Sequence, residues 1–168
     1  KYHMKGKVHE DFVVLKGIEY DTYDAGHIIC IMPEGVKMRL LEIKGLPVSV
    51  LIDFVHRHGG ILGPAHPCGE KYLSFAHTKK FYKSPEIIKR FDFIEGFNAC
   101  EPEESNAGAM KLAMKYKKPA IGGSDSHKLD CVSLAYTELP ERVTCETELI
   151  SLIRSKVPIG VGGTIYGK

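Results

Sequence analysis

A chain of 168 residues fits one domain with a real core, and its apolar and charged fractions, 43% and 26%, are those of an ordinary soluble globular protein. The formal net charge of +2 makes no electrostatic case for nucleic acid, although it does not exclude it, and no apolar run approaches membrane-spanning length. Five scattered cysteines, odd in number and without a C-x-x-C pair, fit reduced thiols in a cytoplasmic protein better than a disulfide framework.

In chain order, residues 1–10 are basic and read as an irregular tail. Phe12-Val13-Val14-Leu15 predicts the first strand, which delivers Glu19, and Tyr20 to Ala25 reads as a polar turn with two aspartates. His27 opens a second strand that runs to about Met32 and is closed by Pro33-Glu34-Gly35. Glu19 and His27 thus flank one connection, which can bring them to the same rim. A helix follows, with Pro47 at a tolerated position, Val48, Leu51, Ile52 and Val55 at helical spacing, and Gly59 at its end. His56 and His58 lie two apart on that helix and point in different directions, so they read as surface or C-terminal-turn histidines.

The next short apolar run ends in Ala65-His66-Pro67. From Cys68 to Lys83 a long connection interleaves Tyr72, Phe75, His77, Phe81 and Tyr82 with Lys71, Lys79, Lys80 and Lys83. It is either a lid whose lysines steer a phosphate or a surface excursion whose aromatics pack down. Ser84-Pro85-Glu86 starts a short helix to about Arg90, and Phe91 to Phe97 is a strand ending at Asn98, with Glu95 inside it. Glu103 to Lys117 is a helix with Met110, Ala113 and Met114 as its inner stripe.

Ala120-Ile121-Gly122-Gly123 is an apolar strand running into Ser124-Asp125-Ser126-His127. In extended chain Asp125 and His127 point to one side, and the two glycines let the backbone bend. Val132 to Thr137 is another strand, and Thr144 begins a last helix with Leu149, Leu152 and Ile153 facing inward. The glycine-rich end lacks the Gly-Lys-Ser/Thr of a phosphate loop. Strands alternating with helices imply α/β architecture with a mainly parallel sheet.

Taken singly, Glu19 reads as a solvated strand-end carboxylate, His27 as a turn histidine, and Ser124-Asp125 as the cap of the next segment. Together they place Glu, His, His and Asp-x-His at four strand ends, where a barrel or open α/β sheet gathers its active site. Such histidines and carboxylates, without cysteine, suit zinc, manganese or iron.

The series Gly17-Ile18-Glu19, Gly26-His27, Ala65-His66-Pro67, Ile94-Glu95-Gly96-Phe97-Asn98 and Gly123-Ser124-Asp125-Ser126-His127 resembles the PHP (polymerase and histidinol phosphatase) family of metal-dependent phosphoesterases, from about Val13 to about Lys156. That family begins with a strand carrying His-x-His, which His3 and His9 do not supply. The chain therefore resembles the C-terminal part of a PHP domain: a single domain over residues 1–168, an incomplete version of the distorted (β/α)7 barrel, lacking its N-terminal His-x-His part.

The resemblance implies that Glu19, His27 and His66 complete one metal, and that Asp125 serves a second and His127 a third. Up to three divalent ions would sit in the intact domain and about one in this chain. The intact protein would hydrolyse a phosphate ester with metal-bound hydroxide as nucleophile and no other catalytic group. Asn98, Ser124, Lys71 and Lys79 are the substrate-binding candidates, and a small phosphorylated molecule is the expected substrate. The missing half is the expected partner, with self-association through the open sheet edge. A non-catalytic metal-binding accessory module and an amidohydrolase-like metal hydrolase are the alternatives.

Overall fold

A computed structural model of the protein describes residues 8–9, 12–36, 39–70, 73–157 and 159–167. Where an irregular tail and a strand from Phe12 to Leu15 are expected, a two-residue ladder forms instead, β1 (Val8–His9) antiparallel to β2 (Phe12–Val13). Glu19 belongs to the next strand, β3 (Ile18–Thr22), near its start rather than at a strand end. β3 pairs antiparallel with β4 (Gly26–Ile31), with Glu19 opposite Ile29 and Asp21 opposite His27. Their turn is shorter than expected because the Thr22 hydroxyl closes it, donating to the Gly26 carbonyl at 2.6 Å and accepting from the Ala25 N–H at 3.0 Å. β4 pairs antiparallel with β5 (Ile61–Pro64) on its other side.

The expectation of mainly parallel strands needs correction. Among the described residues one ladder is parallel, β6 (Ile94–Asn98) with β7 (Ala120–Gly123), while β8 (Ala135–Glu138) pairs antiparallel with β9 (Gly160–Gly163). The architecture is mixed α/β, and the ladders among the described residues do not close into a (β/α)7 barrel. A short turn such as the one after Thr22 returns the chain beside itself and permits only antiparallel pairing, whereas the β6–β7 connection contains a helix. The separate ladders still lie side by side. Asp92 N–H donates to the Leu62 carbonyl at 2.8 Å between β5 and β6, and Gly122 N–H donates to Thr137 Oγ1 at 2.9 Å between β7 and β8.

Helix α1 (Val48–Arg57) buries Val48, Leu51, Ile52 and Val55 as its periodicity predicts, against Ile28, Cys30 and Leu62. The connection after His66 is not featureless. It holds a 3-10 turn at Phe75–His77 and helix α2 (Lys79–Lys83), capped by the Thr78 hydroxyl accepting from Phe81 N–H. Phe75 is wholly buried, edge-on to Phe91 at 5.2 Å and against Phe81 at 4.9 Å.

Helix α3 (Glu103–Tyr116) departs from its expected stripe, because Ser105, Asn106, Ala109 and Ala113 face inward while Met114 is 66% exposed. Met110 instead fits where Gly96 leaves no side chain, its sulfur 2.5 Å from where a Cβ would stand. Helix α4 (Glu146–Ser155) starts slightly later than Thr144 and buries Ile150, Leu152 and Ile153. The strand predicted from Val132 begins only at Ala135, because Leu129–Cys131 forms a 3-10 turn. β9 has no alternating apolar pattern to announce it. Its glycines answer a spatial demand, since a Cβ at Gly162 would meet the Tyr136 ring at 2.7 Å.

Candidate metal centre

Strand parity builds the first half of the site. Glu19 and Asp21 are two apart on β3 and so share a face, and the antiparallel register sets His27 directly across from Asp21. His66 arrives from a different element, two residues past β5, with its backbone at φ +28°. Its N–H donates to Glu95 Oε2 at 2.5 Å, which fixes that unusual bend from below. Its ring is held by Ser74 Oγ at 3.1 Å from Nδ1, so Nε2 faces the hairpin.

Three lone-pair atoms converge there. Glu19 Oε1 lies 2.9 Å from His27 Nδ1 and 3.3 Å from His66 Nε2, and the two ring nitrogens are 3.3 Å apart. With these nitrogens deprotonated, the two rings and the carboxylate turn three lone pairs to one point. A cation satisfies all three. For bonds of ~2.0–2.1 Å, the edge of a tetrahedral site is about 3.3 Å, which is the size of this triangle. Glu19, His27 and His66 can therefore hold a metal ion.

The electrostatics point the same way. The Glu19 carboxyl is held below its ordinary pKa, first by the hydrogen bond from His66, against an opposing effect of burial, with the His27 charge adding. Burial disfavours protonated His66, but the hydrogen bond to Glu19 and the charges of Glu95, Glu19 and Asp125 together outweigh it and raise its pKa. Glu95 itself is pushed up to about 7 by burial. The site is thus rich in negative potential around its histidines.

Asp125 and His127 line the same cavity of about 190 Å³ as Glu19, His27 and His66, together with Asp21. The chain is not extended there as expected. Asp125 sits at φ +48°, and His127 is largely exposed, with Nδ1 at 2.9 Å from the Asp125 carbonyl and 3.4 Å from its carboxylate. Gly122 and Gly123 serve proximity rather than a bend. A Cβ at Gly123 would overlap Glu95 Oε1, and one at Gly122 the Tyr136 carbonyl.

Of the substrate-binding candidates, Asn98, Ser124 and Lys79 are not among the residues that line the cavity. Asn98 is buried, donating to Glu95 Oε2 at 3.1 Å and accepting from Cys100 N–H at 2.8 Å. Ser124 Oγ bridges to β8, accepting from Ala135 N–H at 3.2 Å. Lys79 is an exposed residue of α2, and its neighbour Lys80 pairs with Asp24 at 3.4 Å. Lys71 lies outside the described residues.

His56 meets Asp92 at 2.9 Å, His58 meets the Phe54 carbonyl at 2.8 Å, and neither approaches the cavity. Sequence reasoning placed Asp21 in a turn and missed it as a lining residue. Its i, i+2 relation to Glu19 is the signal that finds it. Ser74 and the clamp from Glu95 depend on tertiary contacts and carry no such signal.

No helix among the described residues is long and apolar enough to cross a membrane. No curated protein matches the chain. Residues 103–158, from the start of α3 to just past α4, match a family model described as PHP-associated, a segment that contains Asp125 and His127 but none of the Glu19 cluster. Over that stretch the chain matches the C-terminal part of a PHP domain.

Proposed function

We propose that the chain is a single PHP-like domain, part of a metal-dependent phosphoesterase of the distorted (β/α)7 type whose intact form hydrolyses a phosphate ester. The observation that carries this reading is the triangle of Glu19, His27 and His66 facing one point inside a cavity shared with Asp125 and His127. Glu19, His27 and His66 would hold one divalent ion, zinc, manganese or iron, and Asp125 and His127 would contribute to further ions. Such an ion lowers the pKa of a coordinated water and neutralises charge on a phosphoryl group.

The chain's own residues do the rest. Ser74 and Glu95 orient the ring and backbone of His66, so its Nε2 is presented to Glu19 and His27 without a search of rotamers. Asp21, 3.9 Å from His27 Nε2, supports that imidazole from its other side. Lys71 and Lys79 remain candidates for drawing a small phosphorylated substrate towards the rim. The partners we propose are the remainder of the PHP domain and a second copy meeting the open sheet edge.

Metal analysis of the full chain after dialysis, combined with assays on phosphate monoesters, phosphodiesters and cyclic ureides, tests the reading. About one ion per chain is expected. Phosphate-ester turnover should appear when the rest of the domain is present and stay low without it. Ureide hydrolysis without phosphoesterase activity would favour the amidohydrolase class. Metal binding with no turnover in the complete protein would favour the accessory module.

A further inference from the structure

A second cavity, of about 480 Å³, lies at the opposite end of the strands from the candidate metal centre. Its walls come from the residues just before β6 and β7 and from the C-terminal ends of α3 and α4. Among the described residues six cations line it, Lys89, Arg90, Lys117, Lys118, Arg154 and Lys156, with Asp92 as the single carboxylate. Asp92 is already engaged by His56 at 2.9 Å and by Leu62 N–H at 2.9 Å. Arg90 pairs with Asp53 and Lys89 with Glu86 on the outer side. Lys117, Lys118, Arg154 and Lys156 have no acidic partner among the described residues.

Cations at helix C-termini have an ordinary explanation, because each offsets part of a macrodipole. Lys117 and Lys156 do occupy the left-handed C-cap positions of α3 and α4. That explanation does not call for the two caps to meet in one concavity with Arg154 and the part-buried Lys118. Lys118 Nζ donates to the Lys89 and Phe91 carbonyls at 2.6 and 2.5 Å, which holds its charge inside the cavity. Its pKa is lowered by burial, with the Asp92 charge opposing and the nearby charge of Lys156 adding to the lowering. Six cations gathered around one carboxylate, itself shared with His56, leave the excess positive charge that an anion site requires.

We propose that this cavity binds a phosphoanion carrying at least two phosphate groups, a pyrophosphate or nucleoside diphosphate. Four cations without acidic partners match the charge of about −3 on such a group, which ionises further near neutral pH. Tyr116 and Pro119 add an aromatic and apolar wall beside the cations, and the volume falls within the range of small-ligand sites. The net charge of the chain conceals this concentration because acidic residues elsewhere cancel it.

The test is calorimetric titration of the full chain with inorganic pyrophosphate, a nucleoside diphosphate and sulfate, with EDTA present so that the first cavity holds no metal. Binding is expected for both diphosphates, and a Lys117→Gln/Lys156→Gln double variant should weaken it at least tenfold. Among the described residues those side chains hold no backbone carbonyl, so circular dichroism and melting should confirm an intact fold. Tighter binding of the nucleoside diphosphate would assign the aromatic wall to a base, and equal binding would assign the site to the pyrophosphate group alone. No binding at millimolar concentration, binding as tight for sulfate, or binding indifferent to the two lysines would overturn the proposal.

Discussion

Replacing Gly26 with alanine tests whether the turn before His27 and the segment before Phe75 are packed as tightly as the structure shows. Gly26 has φ +72°, and a Cβ there would fall within van der Waals contact of the Leu73 carbonyl oxygen. Gly35 is the matched control, with φ +79° and nothing within 4 Å of its Cβ position. Entering the left-handed region costs a non-glycine residue roughly 1–2 kcal/mol, and the stiffer unfolded chain returns part of it, leaving about 1 kcal/mol for Gly35→Ala. Gly26→Ala carries the same cost plus roughly 1–3 kcal/mol of overpacking, because two backbone segments must separate.

For a domain of this size each kcal/mol moves the midpoint by roughly 2–4 °C. Gly35→Ala should therefore melt about 3 °C below the parent and Gly26→Ala roughly 5–15 °C below it. The displaced segment carries Ser74, which holds the His66 ring, so zinc affinity should fall at least tenfold in Gly26→Ala and stay unchanged in Gly35→Ala. Calorimetric melting and zinc titration measure both. Equal melting shifts in the two variants, or unaltered zinc affinity in Gly26→Ala, would refute the argument.

Glu19→Gln and His66→Ala should each reduce zinc or manganese affinity by more than tenfold in a calorimetric titration, since each removes one corner of a three-atom site. Phe75→Ala should cost about 3–5 kcal/mol in urea unfolding, the loss expected for a wholly buried ring; a cost under about 1 kcal/mol would mean the connection is a loose lid. Cys30 is buried and its thiol is pushed up to about 12 from 9.0, so it should resist alkylation in the native protein at pH 8. The stability linked to that raised pKa is full below pH 9 and lost as pH climbs towards 12, because the unfolded thiol ionises first. Between pH 8 and 10 the parent should therefore lose about 1 kcal/mol relative to Cys30→Ala, measured by urea unfolding at each pH.

What was legible in the sequence was what local pattern controls. The period of Val48, Leu51, Ile52 and Val55 gives α1, and Glu19, His27, His66, Asp125 and His127 do line one cavity. Strand direction was not legible, because α/β alternation is satisfied by one parallel pair while short turns fold other strands back. β9 was missed because its glycines are chosen by the Tyr136 side chain and the Phe97 ring, which are neighbours only in space. Met114 was placed inside by its helical spacing from Met110, although the small residues Ala109 and Ala113 are what allow α3 to approach its sheet.

The boundary between β5 and β6 divides the candidate centre in two. Glu19, His27 and His66 stand on one side, and Asp125 and His127 on the other. Across it run the Asp92–Leu62 contacts and the His66–Glu95 bond, but no assigned ladder joins the two strands. A first ion would thus clamp only the antiparallel three-strand unit, slowing hydrogen exchange within residues 18–66 and leaving the opening of the seam almost untouched. An ion shared with Asp125 would act as a rivet through both leaves. Protection would then spread to β6 and β7 together, so the order in which amides become protected during titration would report the order in which the two leaves are joined.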